Sequence, residues 1–353
     1  MSEEASRSYL DRLYERAEEL EIDENDKLVI FSDLHMGNRT NGDDFRRNAP
    51  VFISALRDYY FENGYTLVLN GDIEELHRYP LHRIRNKWHD IYELFDRFAA
   101  QGKLYKIFGN HDSKLFTFPD THLRYPLLEA LKLVYKGRQL FLFHGHQVSL
   151  IYQRFNNLIG LLLRYIARPL RIKHYSVAHD KRKQYFIEQR LYEYSRERGI
   201  VSIIGHTHRP LFESMSKVDT INYKIERNLR QLEQADEEES LQIEERIKSL
   251  KKEIDRQLAK KGKEVSLSTI YSTYTIVPCV FNSGCAIGKR GMTAIEISNG
   301  KISLVHWFDK NIDRKYNRED QENTTRIPGT DYFRTMLKQD SLDYIFTRIR
   351  LLR

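Results

Sequence analysis

Seven side chains have the types and spacing of metal ligands: Asp33, His35, Asp72, Asn110, His144, His206 and His208. Asp33-Leu34-His35 and His206-Thr207-His208 are chelating pairs with one residue between the donors. Asp72 and Asn110 add oxygen donors, and His144 adds a nitrogen. The set offers carboxylate, amide and imidazole and no thiolate. That is too many donors for one tetrahedral zinc, but it suits two divalent cations that share a bridging carboxylate. Mixed nitrogen and oxygen ligation points to manganese first and to iron or zinc next, and so many imidazoles count against magnesium. A lone His or Asp at a strand end is usually a hydrogen-bonded polar residue. An ordered series of them is not explained that way.

Each donor stands where a short apolar run stops. Leu28–Phe31 leads into Ser32-Asp33-Leu34-His35, and Thr66–Leu69 into Asn70-Gly71-Asp72. Leu104–Phe108 leads into Gly109-Asn110-His111-Asp112, Leu140–Phe143 into His144-Gly145-His146, and Ile200–Ile204 into Gly205-His206-Thr207-His208. Short runs of β-formers punctuated by glycine read as buried strands. Helical spacing over 48–63 and 87–101 lies between them, and this alternation indicates an α/β protein. Ligands in such sheets bind beyond the carboxyl ends of the strands, so the polar clusters are expected to converge. Asn299-Gly300 between Met292–Ile297 and Ile302–Trp307 is a hairpin signal, because both turn residues tolerate positive φ. With Tyr274–Phe281 this hairpin is expected to complete a second sheet. Residues 5–21 read as one amphipathic helix.

The chain has 353 residues, 41% hydrophobic and 30% charged, with 57 Lys+Arg against 50 Asp+Glu for a net charge of +7. That balance excludes general disorder and a membrane-embedded protein, and it favours anionic partners. Two cysteines, Cys279 and Cys285, exclude a disulfide scaffold or a zinc ribbon, and two reduced thiols are expected. Met1–Leu20 is not a secretory signal, and the aliphatic run within Leu158–Leu163 is too short to span a bilayer. The expected location is cytoplasmic, with peripheral contact at the inner face of the cell membrane as a variant. The catalytic domain is expected over 1–310, interrupted by a basic, apolar helical cap at 150–195 and a helical hairpin at 217–262. In the hairpin, Ile221, Ile225, Leu229 and Leu232 form one apolar face, and Ile243, Ile247, Leu250, Ile254 and Leu258 another. Those faces suit a coiled-coil-like pair and self-association. Residues 311–353 read as a C-terminal extension in which Tyr332–Arg353 is a helix folded onto the body or lying on a membrane surface.

The ordered set Asp-x-His, Gly-Asp, Gly-Asn-His-Asp, His, Gly-His-x-His resembles the calcineurin-like metallophosphoesterase superfamily over about residues 27–210, with closing strands near 274–308. The resemblance implies a two-sheet αββα sandwich with two metals at one edge. It places Asp33, His35, Asp72 and His208 on one metal, and Asp72, Asn110, His144 and His206 on the other, with Asp72 bridging. Two cations about 3.5–4 Å apart acidify a bridging water and clamp a phosphoryl oxygen, so no Ser or Cys nucleophile is required. His111 resembles the catalytic histidine of the family, as a transition-state stabiliser or proton donor, with Asp112 expected to orient it. A Glu in the loop after Asp72 either repels an anionic substrate or anchors a neighbouring base.

Three details resemble the UDP-2,3-diacylglucosamine pyrophosphatases of lipid A biosynthesis: Ser32-Asp33-Leu34-His35, Gly205-His206-Thr207-His208-Arg209-Pro210, and the cap. Arg164, Arg168, Arg171 and Lys173 in the cap are the candidate substrate contacts, suited to phosphate or an anionic bilayer while apolar neighbours meet acyl chains. The implied reaction releases UMP from a phosphorylated, lipid-linked sugar. The sequence departs from that group at His111, where Arg is expected, and at His146, where Asp is expected. The chief alternative enzyme is a nucleotide or nucleic-acid phosphodiesterase or phosphatase. No block of aromatic residues interleaved with basic ones marks a strand-binding groove. The alternative of another class is an interaction protein that uses the hairpin.

Overall fold

The computed structural model describes residues 3–117, 125–148, 181–214, 237–261, 277–312 and 324–353, with Ile221, Ile225 and Asn228 as separate helical positions. They fall into two compact units, Met1–Phe212 with Cys279–Leu351, and Glu213–Pro278.

The strands of the first unit are β1 (Glu18–Ile22), β2 (Leu28–Phe31), β3 (Thr66–Asn70), β4 (Leu104–Ile107), β5 (Leu127–Leu128), β6 (Ala130–Tyr135) and β7 (Arg138–Phe143). They continue with β8 (Val201–Ile204), β9 (Val280–Asn282), β10 (Met292–Ser298), β11 (Lys301–Asp309), β12 (Thr324–Arg326) and β13 (Tyr332–Ser341). The helices are α1 (Glu3–Arg16), α2 (Ala49–Ser54, continued by wider π-type turns over Ala55–Phe61), α3 (Leu81–Lys87), α4 (His89–Ala100) and α5 (Lys181–Arg198). Next come α6 (Glu237–Lys261), in the second unit, and α7 (Leu342–Leu352).

One sheet runs β1-β6-β7-β8-β9, and the other β12-β13-β11-β10-β2-β3-β4-β5. In the second, β2, β3, β4 and β5 are parallel. Strands β7, β8 and β9 are parallel in the first. Side chains alternate faces along a strand. Val29, Phe31, Leu67, Leu69 and Leu104 therefore share one buried cluster with Phe52, Leu56, Ile91, Phe95 and Phe98 of the covering helices. Leu28, Ile30 and Val68, on the alternate positions, are buried as well. A sheet covered on both faces needs apolar residues throughout, which is why these strands read as unbroken apolar runs. At the carboxyl ends the two sheets meet. Asn70 Nδ2 at the end of β3 donates to Phe143 O on β7 at 3.2 Å and to Ile203 O on β8 at 3.4 Å. This is the mixed two-sheet sandwich expected of the sequence, and it gathers the donor-bearing loops at one edge.

The Asn299-Gly300 hairpin forms as its chemistry dictates: Asn299 has φ 50° and Gly300 φ 65°, and Ser298 pairs with Lys301. Two expectations need correction. Residues 5–21 are not one helix. The helix stops at Arg16, and Glu18–Ile22 pairs in parallel with β6, Leu20 facing Leu133 and Ile22 facing Tyr135. Nor is Tyr332–Arg353 all helix: Tyr332–Ser341 pairs with β11 along its length, and only Leu342–Leu352 is helical. An alternating apolar and basic segment fits either period, and pairing decided it. Arg334 of β13 binds Glu296 of β10, whose carboxylate also accepts from Tyr60 Oη at 2.7 Å. This tail is part of the eight-stranded sheet.

Of the cap, α5 is described, and Arg164, Arg168, Arg171 and Lys173 lie outside the described residues. Of the segment expected to form the hairpin, Glu237–Lys261 is described and is the helix α6, with Ile243 buried; Leu229 and Leu232 lie outside the described residues. Cys279 and Cys285 are free thiols. Among the described residues no helix is long and apolar enough to cross a membrane.

Candidate metal centre

Five of the seven donors sit at left-handed backbone positions: Asp33 (φ 54°), His35 (φ 48°), Asp72 (φ 54°), His206 (φ 63°) and His208 (φ 55°). Such conformations cost about 1–3 kcal/mol each for non-glycine residues and persist where the surroundings over-determine them. Hydrogen bonds lace the loops together here. Asp33 N–H donates to Gly71 O at 3.0 Å, His35 N–H to Asp72 O at 2.9 Å, and Gly205 N–H to His144 O at 3.0 Å. The two carboxylates also hold loops. Asp33 Oδ2 accepts from His206 N–H at 3.0 Å, and Asp72 Oδ1 from His111 N–H at 2.7 Å. Gly109 and Gly205 are required by close approach: a Cβ at either would collide with the carboxylate of Asp72 or of Asp33.

The other oxygen of each aspartate faces imidazoles. Asp33 Oδ1 lies 3.0 Å from His208 Nε2 and 3.7 Å from His35 Nε2, and these two nitrogens are 3.1 Å apart. Asp72 Oδ2 lies 3.1 Å from His144 Nε2 and 3.8 Å from His35 Nε2. The donors thus form two clusters, Asp33–His35–His208 and Asp72–His144–His206, with Asp72 Oδ2 turned toward both. Asn110 is buried in the loop between Gly109 and His111, next to the residue that binds Asp72.

The residues fit a pair of divalent cations. The Nε2 atom of His206 is buried without a hydrogen bond, a costly condition for a polar atom unless something binds it. His144 Nδ1 donates to Asn70 O at 2.9 Å, so in the neutral ring Nε2 carries the lone pair that a metal needs. Burial opposes the charge on Asp33, but His208 and His144 outweigh it and hold its carboxyl well below the usual range. Burial disfavours a proton on His144, yet Asp72 and Asp33 push it up to about 9. Burial and the neighbouring His144 push His206 down to about 3. Anionic oxygens thus sit among imidazoles.

Glu75 joins the two expected roles of ligand and acid. Its Oε1 lies 2.9 Å from His111 Nδ1 and its Oε2 3.2 Å from His35 Nδ1. Burial would raise its carboxyl, but the two imidazoles outweigh burial and hold it well below the usual range. An ionised carboxylate only accepts, so both Nδ1 atoms carry protons. His35 Nε2 is then left for the donor cluster and His111 Nε2 for the cleft. This corrects the role expected of Asp112. Its carboxylate accepts from Ile73 N–H at 2.7 Å and Gly109 N–H at 2.5 Å, so it fixes the loops around Asp72, while Glu75 holds the His111 ring. The sequence signals for Glu75 and Asn70 were slight: a Glu three residues after Asp72 and an Asn two residues before it. His77, whose ring lies 4.5 Å from that of His111, carried no signal at all.

No curated protein matches the chain. Solved structures similar to it include a cold-active protein tyrosine phosphatase and a single-residue mutant of that phosphatase, each with 11% identity and TM-score 0.32 over 80% of this chain and 77–78% of the other. The cold-active protein-tyrosine phosphatase of a psychrophile Shewanella sp. gives 11% identity and TM-score 0.33 over 80% of this chain and 78% of that one. At those scores the likeness carries no inference. The family model of the calcineurin-like phosphoesterases matches residues 27–210, a span that takes in all seven donors. The chain therefore belongs to the calcineurin-like phosphoesterase family and is a metal-dependent phosphoester hydrolase.

Proposed function

We propose that this protein hydrolyses a phosphoester or pyrophosphate bond at a dinuclear centre held by Asp33, His35, Asp72 and His208 on one side and Asp72, Asn110, His144 and His206 on the other. The observation that carries this reading is the pair of facing donor clusters with Asp72 Oδ2 directed at both. Manganese is the first candidate for both positions, and iron or zinc the alternatives. Bound cations there would supply Lewis acidity toward a phosphoryl oxygen and toward an attacking water.

The protein's own groups have definite tasks. Asp33 and His144 are fully buried and form the floor, whereas His111 is 20% exposed and His208 15%, so the centre opens on their side. A phosphoryl group enters from that side. His111, with Nδ1–H held by Glu75, presents Nε2 to the leaving oxygen; in its doubly protonated form it gives that oxygen the Nε2 proton and is left as the neutral ring with Nδ1–H still on Glu75. The laced backbone around Asp33 and Asp72 keeps the donors from relaxing between turnovers.

The finer reading is cleavage of UDP-2,3-diacylglucosamine to UMP and the lipid sugar phosphate. It rests on the Ser32–His35 and Gly205–Pro210 segments and on the basic, apolar composition of 150–195. The second reading is a nucleotide or nucleic-acid phosphodiesterase, favoured by His111 in the place where the lipid-sugar enzymes have Arg. Purified protein with Mn²⁺ is offered UDP-2,3-diacylglucosamine or an aryl phosphodiester, with Asp72→Asn as control, and UMP release is read by mass spectrometry. Release of UMP that Asp72→Asn lowers by more than about 100-fold, beyond the usual effect of an outer-shell change, supports the lipid-sugar reading. Turnover of the diester alone supports the second. Equal rates for parent and Asp72→Asn at equal metal loading refute the dinuclear centre.

A further inference from the structure

The segment Gly205–Arg209 supplies one donor to each cluster, His206 to the Asp72 side and His208 to the Asp33 side. Both donors sit at strained left-handed positions, and Thr207 between them is fully buried. Left to itself such a tripeptide would relax, so something must hold it. The holding groups come from α5, a helix outside the donor-bearing loops. Glu188 accepts from Thr207 Oγ1 at 3.1 Å and from Arg209 Nε at 3.2 Å, and it pairs again with the other guanidinium nitrogen of Arg209. One helical turn earlier, Gln184 Nε2 donates to Thr207 O at 2.8 Å. From the opposite side, Asn282 Nδ2 donates to Thr207 Oγ1 and to Gly205 O, both at 2.9 Å. Thr207 thus has its hydroxyl and its carbonyl fixed by side chains from two other elements.

Glu188 is itself nearly buried, 7% exposed, and its hydrogen bonds go to Thr207 and Arg209. A carboxylate in such a place needs strong partners. Its partners are the two residues that bracket His208, and Thr207 also follows His206.

We propose that Glu188 is a positioning residue for both halves of the metal centre, holding His206 and His208 through Thr207 and Arg209. The proposal rests on the dinuclear reading and adds to it that the helix Lys181–Arg198 sets metal affinity. It further implies that a displacement of α5 loosens both positions together, because a single tripeptide serves both.

The test measures Mn²⁺ binding alone, by isothermal titration and by metal analysis after gel filtration, for the parent, Glu188→Ala, Glu188→Gln and Leu191→Ala. Leu191 is a fully buried residue of the same helix, and its apolar side chain makes none of the hydrogen bonds to the loop described above, so Leu191→Ala reports what loss of stability alone does. Outer-shell changes cost about 10–100-fold in metal affinity. Glu188→Ala is expected to lose that much at both positions. Glu188→Gln keeps an acceptor for Thr207 and loses the ion pair, and is expected to lose less. Leu191→Ala is expected to bind as the parent does. Amide exchange of His206 and Thr207 in the metal-free protein is expected to quicken in Glu188→Ala and not in Leu191→Ala, which reads positioning without any metal. Parent-like affinity and exchange in folded Glu188→Ala overturn the proposal. Equal losses in Glu188→Ala and Leu191→Ala also overturn it. A parent that binds no Mn²⁺ overturns the dinuclear reading instead.

Discussion

Lys106→Met should be among the most damaging single changes outside the donor set, and the structure says by how much. Lys106 lies on β4 with its side chain fully buried, and Glu74, in the loop that follows Asp72, is 1% exposed. The ammonium donates to both carboxylate oxygens, at 2.5 and 2.6 Å, and Tyr92 Oη donates to Oε1 at 2.7 Å. Burial alone would lower the Lys106 pKa, but Glu74 outweighs it and holds the value above the usual lysine range. Methionine matches the stem in volume and removes the charge. Glu74 is then a buried carboxylate with one hydrogen bond, and breaking a buried pair in this way costs about 3–5 kcal/mol. Against a typical total of about 5–15 kcal/mol that is a large share. The chain has two tryptophans, Trp88 and Trp307, both in the first unit. Urea unfolding followed by their fluorescence therefore reports that unit. Replacing both partners, Lys106→Met with Glu74→Gln, leaves an amide that still accepts from Tyr92. It should return stability to within about 1–2 kcal/mol of the parent. The sign with pH is fixed as well. A lysine raised in the folded state stabilises fully below its unfolded value, and that contribution fades as pH rises through the folded value. The lysine's own contribution in the parent should therefore be the same at pH 6 and pH 9. A loss below about 1 kcal/mol, or no recovery in the double variant, refutes the reasoning.

Glu75→Gln keeps the shape but offers one acceptor where two Nδ1–H groups arrive, so one ring must turn or change tautomer. It should lower kcat by about 100-fold, the lower end of the effect of losing an acid–base group, while leaving KM within a few-fold; steady-state kinetics within threefold of the parent would exclude the role given to Glu75. Metal binding should release protons, because the metal-free protein keeps His144 protonated up to about pH 9 and a ligand ring must be neutral. Mn²⁺ affinity should therefore rise from pH 6 to pH 8, about tenfold per pH unit for each proton displaced, and level off above 9. Titration calorimetry in buffers of different ionisation heat measures the release directly, and a flat affinity over that range would contradict it.

The order Asp33, His35, Asp72, Asn110, His144, His206, His208 was legible in the residues, and so was the placement of each at the end of an apolar run. That follows from physics that acts locally. A strand covered on both faces must be apolar throughout, and the polar residue that ends it announces the sheet edge. The Asn299-Gly300 turn was legible for the same kind of reason, since few residue pairs accept two successive positive φ values. Segments that fit two periods were not legible. Glu18–Ile22 and Tyr332–Ser341 became strands because β6 and β11 offered unpaired edges, and an edge is not written in the segment that fills it.

The chemistry of the donors belongs to the sequence: nitrogen and oxygen without sulfur, in pairs one residue apart. Which donors face each other belongs to the tertiary structure, because it depends on β3, β7 and β8 bringing their ends within hydrogen-bond reach through Asn70. The partner of His111 is of the same kind. Sequence proximity favours Asp112, yet backbone amides of two loops bind that carboxylate first. Glu75, 36 residues away, reaches the ring because the loop after β3 folds over the loop after β4. Adjacency along the chain fixes the types of groups present, and only packing fixes which of them meet.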